Sequence, residues 1–292
     1  MDLSNLSFFY GESFDADAIG TIIYRQEAQK FDGSLLHDFD YIVLVVHEGQ
    51  EAELAVEHTL VGELPCQTLH VSSESLQRWL IAGEKGDLIR CFMEGELVRD
   101  VNGKLARLRR EYTEFEQPLR DRKMLYEFSR FLSIYVEAKR YLQAGYEVDA
   151  YQSVLDSLRH WARIELIERG VLPDRAVWEQ VKELNTAIHK LYEELTQSKE
   201  TIRQRVELVL LACEFSVMSK MAECTGLLLQ ILKSRSQPWS IEELIHHPDL
   251  DIVKNELPLV MRKLVNRSLA KESVVWSDAS GYSSPAIRYS AE

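Results

Sequence analysis

The sequence contains only four cysteines among its 292 residues, and they lie far apart without a Cys-x-x-Cys pair. Zinc sites and disulfide frameworks use cysteines at short, paired spacings, so neither is indicated. We expect free thiols that are mostly buried. The cysteines are Cys66, Cys91, Cys213 and Cys224.

Long hydrophobic runs are also missing. The longest, residues 41–46 and 209–213, fall well below the roughly 18 apolar residues that a membrane-spanning helix needs. The first residues, Met1-Asp2-Leu3, lack the basic region of a signal peptide. We therefore expect a cytoplasmic protein with no membrane partner.

Basic residues are scarce in the first third of the chain. Residues 1–119 hold 22 of the 47 acidic residues but 10 of the 34 basic ones, which accounts for −12 of the net charge of −13. This acidity repels a nucleotide or a nucleic acid unless metal ions or a local basic pocket intervene. It fits metal binding better than direct phosphate binding.

Residues 1–118 are interpreted as a small α/β domain. Runs rich in β-branched and aromatic residues at 18–24, 40–46 and 66–71 predict strands. Ser72 or Ser73 is a suitable N-cap for a helix that follows the third run. The chain is long enough for two or three domains of this size.

Residues 119–225 are interpreted as a helical domain. Apolar residues recur there at helical spacing in four stripes, and the breaks between the stripes are short enough for antiparallel neighbours. This pattern predicts a four-helix bundle. The stripes cover residues 125–142, 154–162, 177–188 and 206–215.

Residues 226–292 predict a winged helix-turn-helix, with three short helices followed by a β-hairpin. Such a module often places a basic helix in the major groove of DNA. Arg262, Lys263 and Arg267 are the candidate nucleic-acid contacts on the third helix. The alternative is a solvated helix face in a module that is used for packing or for protein contact.

Asp38-Phe39-Asp40 stands directly before the apolar run at 41–46 and is the most informative motif. Side chains alternate along a strand, so two acids that are one residue apart share a face. Such a pair can bind Mg²⁺, which bridges phosphates during nucleotidyl transfer. The alternative is an ordinary loop end, where acidic residues are common.

With these features the chain resembles the bacterial nucleotidyltransferase-like proteins of the polymerase-β-type nucleotidyltransferase superfamily. The resemblance lies in the order of an acidic α/β domain with Asp-x-Asp at a strand start, a helical bundle and a C-terminal helix-turn-helix. It implies a mixed sheet flanked by helices, with Asp38 and Asp40 as catalytic residues and Mg²⁺ ligands. It also implies a helical domain that, in relatives such as the kanamycin nucleotidyltransferases, helps bind the acceptor.

Two departures from the superfamily pattern are visible. The superfamily has a Gly-Ser pair that opens a phosphate-holding helix, but Gly33-Ser34 lies too close to Asp38 for such a helix. The predicted strand at 66–71 contains no acid, so Thr68 or His70 stands where the third carboxylate is expected. His70 can either ligate a metal or act as a hydrogen-bonded structural residue.

Three hypotheses follow for function. The first is a degenerate nucleotidyltransferase fold that acts as a binding or regulatory module, with the winged helix contacting DNA or a protein. The second is an active Mg²⁺-dependent enzyme that moves a nucleotidyl group from a nucleoside triphosphate to a hydroxyl acceptor. In it Arg25 or Lys30 contacts phosphate, and Glu137 or Asp149 activates the acceptor. The third is a scaffold in which the bundle forms a homodimer surface.

Overall fold

A computed structural model describes residues 18–25, 39–49, 55–61, 64–184, 186–277 and 284–292. The chain divides into two compact units, residues 1–116 and 117–292. Asp38, Lys30 and Gly33-Ser34 lie outside the described residues. The division of the second unit into a bundle at 119–225 and a module at 226–292 stays a prediction.

A mixed five-stranded sheet forms the centre of the first unit. Its spatial order is β3-β4-β2-β1-β5, and β2 and β4 run parallel while the other neighbours are antiparallel. The mixed sheet with helices that the resemblance implied is therefore confirmed. The strands are β1 (Ala18–Arg25), β2 (Tyr41–His47), β3 (Ala55–Val61), β4 (Leu64–Ser72) and β5 (Glu96–Asp100).

Alternation along β2 explains how the sheet is packed. Ile42, Leu44 and Val46 point into a core that they share with the helices of this unit. Val43 and Val45 point to the opposite face and pack in a second, smaller cluster. Both faces of β2 are therefore buried, which is typical of a central strand and agrees with its continuous apolar run.

Among the described residues, three helices accompany the sheet, and side chains cap the first and the third. The Ser72 hydroxyl accepts a hydrogen bond from the Ser75 backbone N–H at 3.1 Å, which confirms Ser72 as the predicted N-cap. The Asp100 carboxylate accepts the Leu105 and Ala106 N–H groups at 3.0 and 2.9 Å and caps the third helix. The helices are α1 (Ser73–Ala82), α2 (Gly86–Glu94) and α3 (Lys104–Thr113), the last preceded by a 3₁₀ turn at Val101–Gly103.

Helices dominate the second unit, as predicted. One helix was expected at 177–188, but the structure has one that ends at Leu184 and another that begins at Thr186. The helices are α4 (Gln117–Ala144), α5 (Glu147–Glu168), α6 (Val177–Leu184), α7 (Thr186–Gln197), α8 (Ile202–Ser216) and α9 (Met221–Cys224), with a 3₁₀ turn at Met218–Lys220.

The last part of the chain contains three helices and two antiparallel strands. Ser240 and Glu243 form the capping box that their spacing indicates, with Ser240 accepting the Glu243 N–H and Glu243 accepting the Ser240 N–H. Pro258 lies in the first turn of the last helix, where a missing N–H costs no hydrogen bond. The elements are α10 (Gly226–Lys233), α11 (Ile241–Ile245), a 3₁₀ segment (Pro248–Val253), α12 (Leu257–Asn266), β6 (Ala270–Ser277) and β7 (Ser284–Ala291).

Two further properties bear on the expectations from sequence. All four cysteines are free and buried, and burial raises the pKa of the Cys91, Cys213 and Cys224 thiols to about 12. The prediction of free, buried thiols is confirmed. None of the helices in the described ranges combines the length and apolar character needed to cross a membrane.

Candidate functional site

The predicted metal site lies at one end of β2. Asp40 directly precedes this strand and is exposed. Arg25, the last residue of β1, pairs in register with Tyr41, so it lies at the same end of the sheet as Asp40. Asp38 and Lys30 fall outside the described residues. The structure thus brings together two of the four predicted residues, Arg25 and Asp40, in the part of this edge that it describes.

The strand parallel to β2 carries the two residues predicted to replace a third acid. Thr68 lies beside Val43 and is buried, while His70 lies beside Val45. At about 3.3 Å per residue, the level of His70 is about 16 Å along the sheet from that of Asp40. These positions separate His70 from the predicted metal pair.

His70 has partners of its own on this face of the sheet. Its Nδ1 lies 2.9 Å from His47 Nε2, and its Nε2 lies 4.0 Å from the Glu57 carboxylate. The His47 and His70 rings are stacked, with centroids 5.2 Å apart. These contacts match the hydrogen-bonded structural role that was one of the two alternatives for His70.

A Mg²⁺ ion prefers several oxygen ligands. Within the described ranges, no group of three or more histidine, cysteine, aspartate or glutamate side chains is placed to hold a metal ion. Asp40 contributes one carboxylate, and all nine residues of β4 lack an acid. The described part of this edge does not by itself form a magnesium site.

A buried charged cluster between α4 and α5 was not anticipated. The Glu127 carboxylate lies 2.5 Å from His160 Nδ1 and accepts a hydrogen bond from Arg163 Nη1 at 3.2 Å. Lys123 is one helical turn from Glu127 on the same face, and both residues are at most 3% exposed. We define these four residues as the buried charged cluster.

Burial dominates the electrostatics of this cluster. It lowers the pKa of the Lys123 ammonium from 10.5 to about 8, and the Arg163 charge acts in the same direction while the Glu127 carboxylate opposes both. A sequence signal for the cluster exists, because Lys123 and Glu127 continue the four-residue spacing of Phe131 and Tyr135. Charges on an apolar stripe need partners, which only the fold reveals.

A basic cleft of about 290 Å³ opens elsewhere in the second unit. Four cations and one carboxylate line it, so its formal charge is +3. The walls come from α4, α8, the 3₁₀ turn after α8, and α12. The lining residues are Tyr135, Val136, Lys139, Arg140, Gln143, Glu214, Met218, Lys263, Asn266 and Arg267.

Glu214 is the centre of the hydrogen bonding in the basic cleft. Its Oε2 accepts hydrogen bonds from Tyr135 Oη at 2.9 Å and from Lys139 Nζ at 2.8 Å. These bonds, led by that of Lys139, hold the pKa of Glu214 below its ordinary value, and the Arg267 charge adds to the effect. Burial alone lowers the pKa of Lys139, but its bonds to Glu214 and Tyr135 bring it above the usual value. Glu214 and Lys139 are therefore both charged at neutral pH.

The three predicted nucleic-acid contacts have different neighbours in the structure. Arg262 forms an ion pair with Glu272 of β6. Lys263 and Arg267 instead line the basic cleft, opposite residues of α4. The structure therefore brings Lys263 and Arg267 together and gives Arg262 a different neighbour.

The two predicted acceptor-activating acids lie outside the basic cleft. Glu137 is exposed and accepts a hydrogen bond from Tyr141 Oη at 3.2 Å. Asp149 is exposed in the first turn of α5. Neither belongs to the residues that line the cleft or to the buried charged cluster.

Comparisons with known proteins agree with this architecture. Residues 8–122 match the family model described as nucleotidyltransferase-like, and residues 121–220 match that of the YgxA-like substrate binding domain. The YgxA protein of Bacillus subtilis is 31% identical over 246 residues, which are 83% of this chain and 82% of that protein. The chain belongs to this nucleotidyltransferase-like family.

A solved structure extends the family likeness to nearly the full length. The crystal structure of a nucleotidyltransferase-like protein from Exiguobacterium sibiricum superposes with a TM-score of 0.85 at 26% identity. The match covers 99% of this chain and 96% of that one. The resemblance drawn from the order of the domains is confirmed.

The family boundaries place both newly found features in the substrate-binding-like domain. The buried charged cluster lies wholly within residues 121–220, as does the α4 and α8 wall of the basic cleft. Lys263 and Asn266 of α12, together with its C-cap Arg267, follow this domain and complete the cleft. The family match therefore covers part of the cleft and leaves its other wall unassigned.

Proposed function

We propose that this nucleotidyltransferase-like protein has a degenerate transfer site and acts as a binding or regulatory module. The observation that carries the proposal is the register of β4 beside β2. Thr68 and His70 occupy β4, the strand on which we expected the third acid from the sequence, and β4 has no carboxylate. The short spacing from Gly33-Ser34 to Asp38 supports the same conclusion, because it leaves no length for a phosphate-holding helix.

An active Mg²⁺-dependent nucleotidyltransferase is the second candidate. The observation in its favour is the position of Arg25, which ends β1 beside the strand that Asp40 precedes. In such an enzyme Asp38 and Asp40 would hold Mg²⁺, and Arg25 or Lys30 would contact phosphate. A metal held by these residues would supply stabilisation of the negative charge that develops during transfer.

A transfer assay separates these candidates. The intact chain is incubated with Mg²⁺ and each of the four α-labelled nucleoside triphosphates, with a small-metabolite extract as the source of acceptors. The proposal predicts that pyrophosphate release and label transfer equal those of the Asp38→Asn/Asp40→Asn variant, because the wild-type site does not catalyse transfer.

The matched control changes two exposed acids of the same unit, Glu74→Gln and Glu114→Gln. Transfer by the wild type and the control that is lost in the Asp38→Asn/Asp40→Asn variant would establish the enzyme and refute the degenerate site.

We also propose that residues 226–292 form a winged helix-turn-helix. The support is topological, since three helices precede an antiparallel hairpin. Trp239, before α11, exchanges two backbone hydrogen bonds of 2.7 Å with Tyr289 of β7. This isolated antiparallel bridge places Trp239 beside β7 of the hairpin.

The charges of α12 support packing or protein contact by this module more than insertion into DNA. Glu272 neutralises Arg262, and Lys263 and Arg267 face the cleft wall formed by α4. Changing Arg262, Lys263 and Arg267 to Glu tests the remaining nucleic-acid hypothesis. Loss of duplex binding, with a smaller dependence of affinity on salt, would establish DNA contact by these residues.

A further inference from the structure

We propose that the basic cleft binds a compact polyphosphate group, of the kind carried by a nucleoside triphosphate, through lysine and arginine side chains. The proposal rests on the proposed function in one respect, namely that the second unit binds a ligand. It names the chemistry of that ligand and the side chains that recognise it. It does not involve Asp38 or Asp40.

The first argument is the number of uncommitted cations. Lys139 is paired with Glu214 at 2.8 Å. Among the described residues, Arg140, Lys263 and Arg267 have no carboxylate within ion-pair distance. These three positive groups share one concave surface with a single carboxylate, Glu214, which is bonded to Lys139. Their mutual repulsion is therefore only partly offset, and an anionic ligand reduces it further.

The second argument is the spacing of the polar residues on the two facing helices. Lys139 and Gln143 are four residues apart on α4, and Lys263 of α12 lies four residues before Arg267, the C-cap of that helix. Residues at this spacing lie on one face of a helix. Each helix therefore presents two donor side chains to the cleft, and Arg140 and Asn266 add further N–H groups.

The third argument concerns size. The cleft holds about 290 Å³, which is at the lower end of the range of small-molecule sites. Its cations converge on one concavity, whereas a duplex needs cations spread along its backbone. The net charge of −13 on the whole chain also opposes a long polyanion but affects a small one less.

Glu214 is the one acidic side chain among the residues that line the basic cleft. Its carboxylate holds Lys139 and repels any anion that enters the cleft. Glu214→Gln removes this repulsion and leaves the Lys139 ammonium available to a phosphate. An anion-binding cleft therefore gains affinity from this change, whereas a cleft with a purely structural role has no anion affinity to gain.

The test is a calorimetric titration of tripolyphosphate into the intact chain in EDTA, so that no divalent metal contributes. We expect saturable binding to the wild type that weakens as salt is raised. Lys263→Gln/Arg267→Gln is expected to weaken it about tenfold or more, because charge-assisted hydrogen bonds are lost. Glu214→Gln is expected to tighten it severalfold.

The matched control is Lys233→Gln/Lys254→Gln, which removes the same charge from the same part of the chain. Both lysines are exposed, and neither lines the cleft. Binding in the control should remain within about twofold of wild type. Circular dichroism of each variant verifies the fold.

Absence of tripolyphosphate binding would overturn the proposal, and so would equal losses in the cleft variant and its control. Binding of a short DNA duplex, but not of tripolyphosphate, with the same residue dependence would also overturn it in favour of a nucleic-acid surface. None of these outcomes depends on transfer activity, so failure of this proposal is distinguishable from failure of the degenerate-site proposal.

Discussion

Lys123 shows how single residues escape prediction from sequence. Its position on an apolar stripe of α4, one turn from Glu127, is evident from the spacing. The Arg163 charge, which also acts on Lys123, reaches Glu127 only because α4 packs against α5. The buried cysteines are the opposite case, because an unpaired thiol is expected in the core whatever its neighbours are. Asp40 is intermediate, since its predicted place before a strand is observed and its predicted role as a Mg²⁺ ligand stays a prediction.

The lowered pKa of Lys123 makes the free energy of unfolding depend on pH. Between about pH 8 and 10.5 the unfolded state retains the Lys123 proton that the folded state has released, so stability rises with pH. In Lys123→Met this contribution disappears. The unfolding free energy of wild type relative to Lys123→Met should therefore increase by about 3 kcal/mol over this interval.

Urea unfolding of both proteins at the two pH values measures the difference. Lys190→Met, which changes an exposed lysine, serves as the control and should show no comparable trend. A pH-independent difference between wild type and Lys123→Met would mean that Lys123 keeps its proton in the folded protein.

At the scale of elements, strands with strong apolar patterns were predicted well. β1, β2 and β4 lie close to the predicted runs, since burial on both faces gives them continuous apolar residues. β3 was missed, because residues 55–60 are exposed and their pattern is mixed. α3 was missed as well, because its buried side is small and its cap, Asp100, belongs to the preceding strand.

Gly95 is the single residue between α2 and β5, and the space around it has no room for a side chain. A Cβ at this position would lie 2.5 Å from Ile22 Cγ2 and 2.6 Å from the Cys91 carbonyl oxygen, although the backbone angles suit any residue. Gly95→Ala is therefore expected to lower the free energy of unfolding by about 1–3 kcal/mol. Denaturant unfolding of the purified variant measures this change.

Gly226→Ala is the matched control, because a Cβ there meets no atom within 4 Å and the residue begins α10. It should be neutral or stabilise by up to about 1 kcal/mol. Equal stability of Gly95→Ala and wild type would show that the α2–β5 connection has room for a side chain.

At the scale of the whole molecule, the order of domains was sufficient to predict the family, and single motifs were not. The acidic first domain and the helical domain agree with the family matches over residues 8–122 and 121–220. The basic cleft could not be predicted, because Lys139 and Lys263 are 124 positions apart and meet only through the packing of α4 and α12.

The most direct test of the account is the metal dependence of nucleotide binding. ATP is titrated by calorimetry into the intact chain and into Asp38→Asn/Asp40→Asn, once with Mg²⁺ and once with EDTA. A degenerate metal site and a basic cleft predict equal affinity for the two proteins, and binding with Mg²⁺ that is no tighter than in EDTA. Binding that Mg²⁺ tightens in the wild type but not in the Asp38→Asn/Asp40→Asn variant would contradict the account.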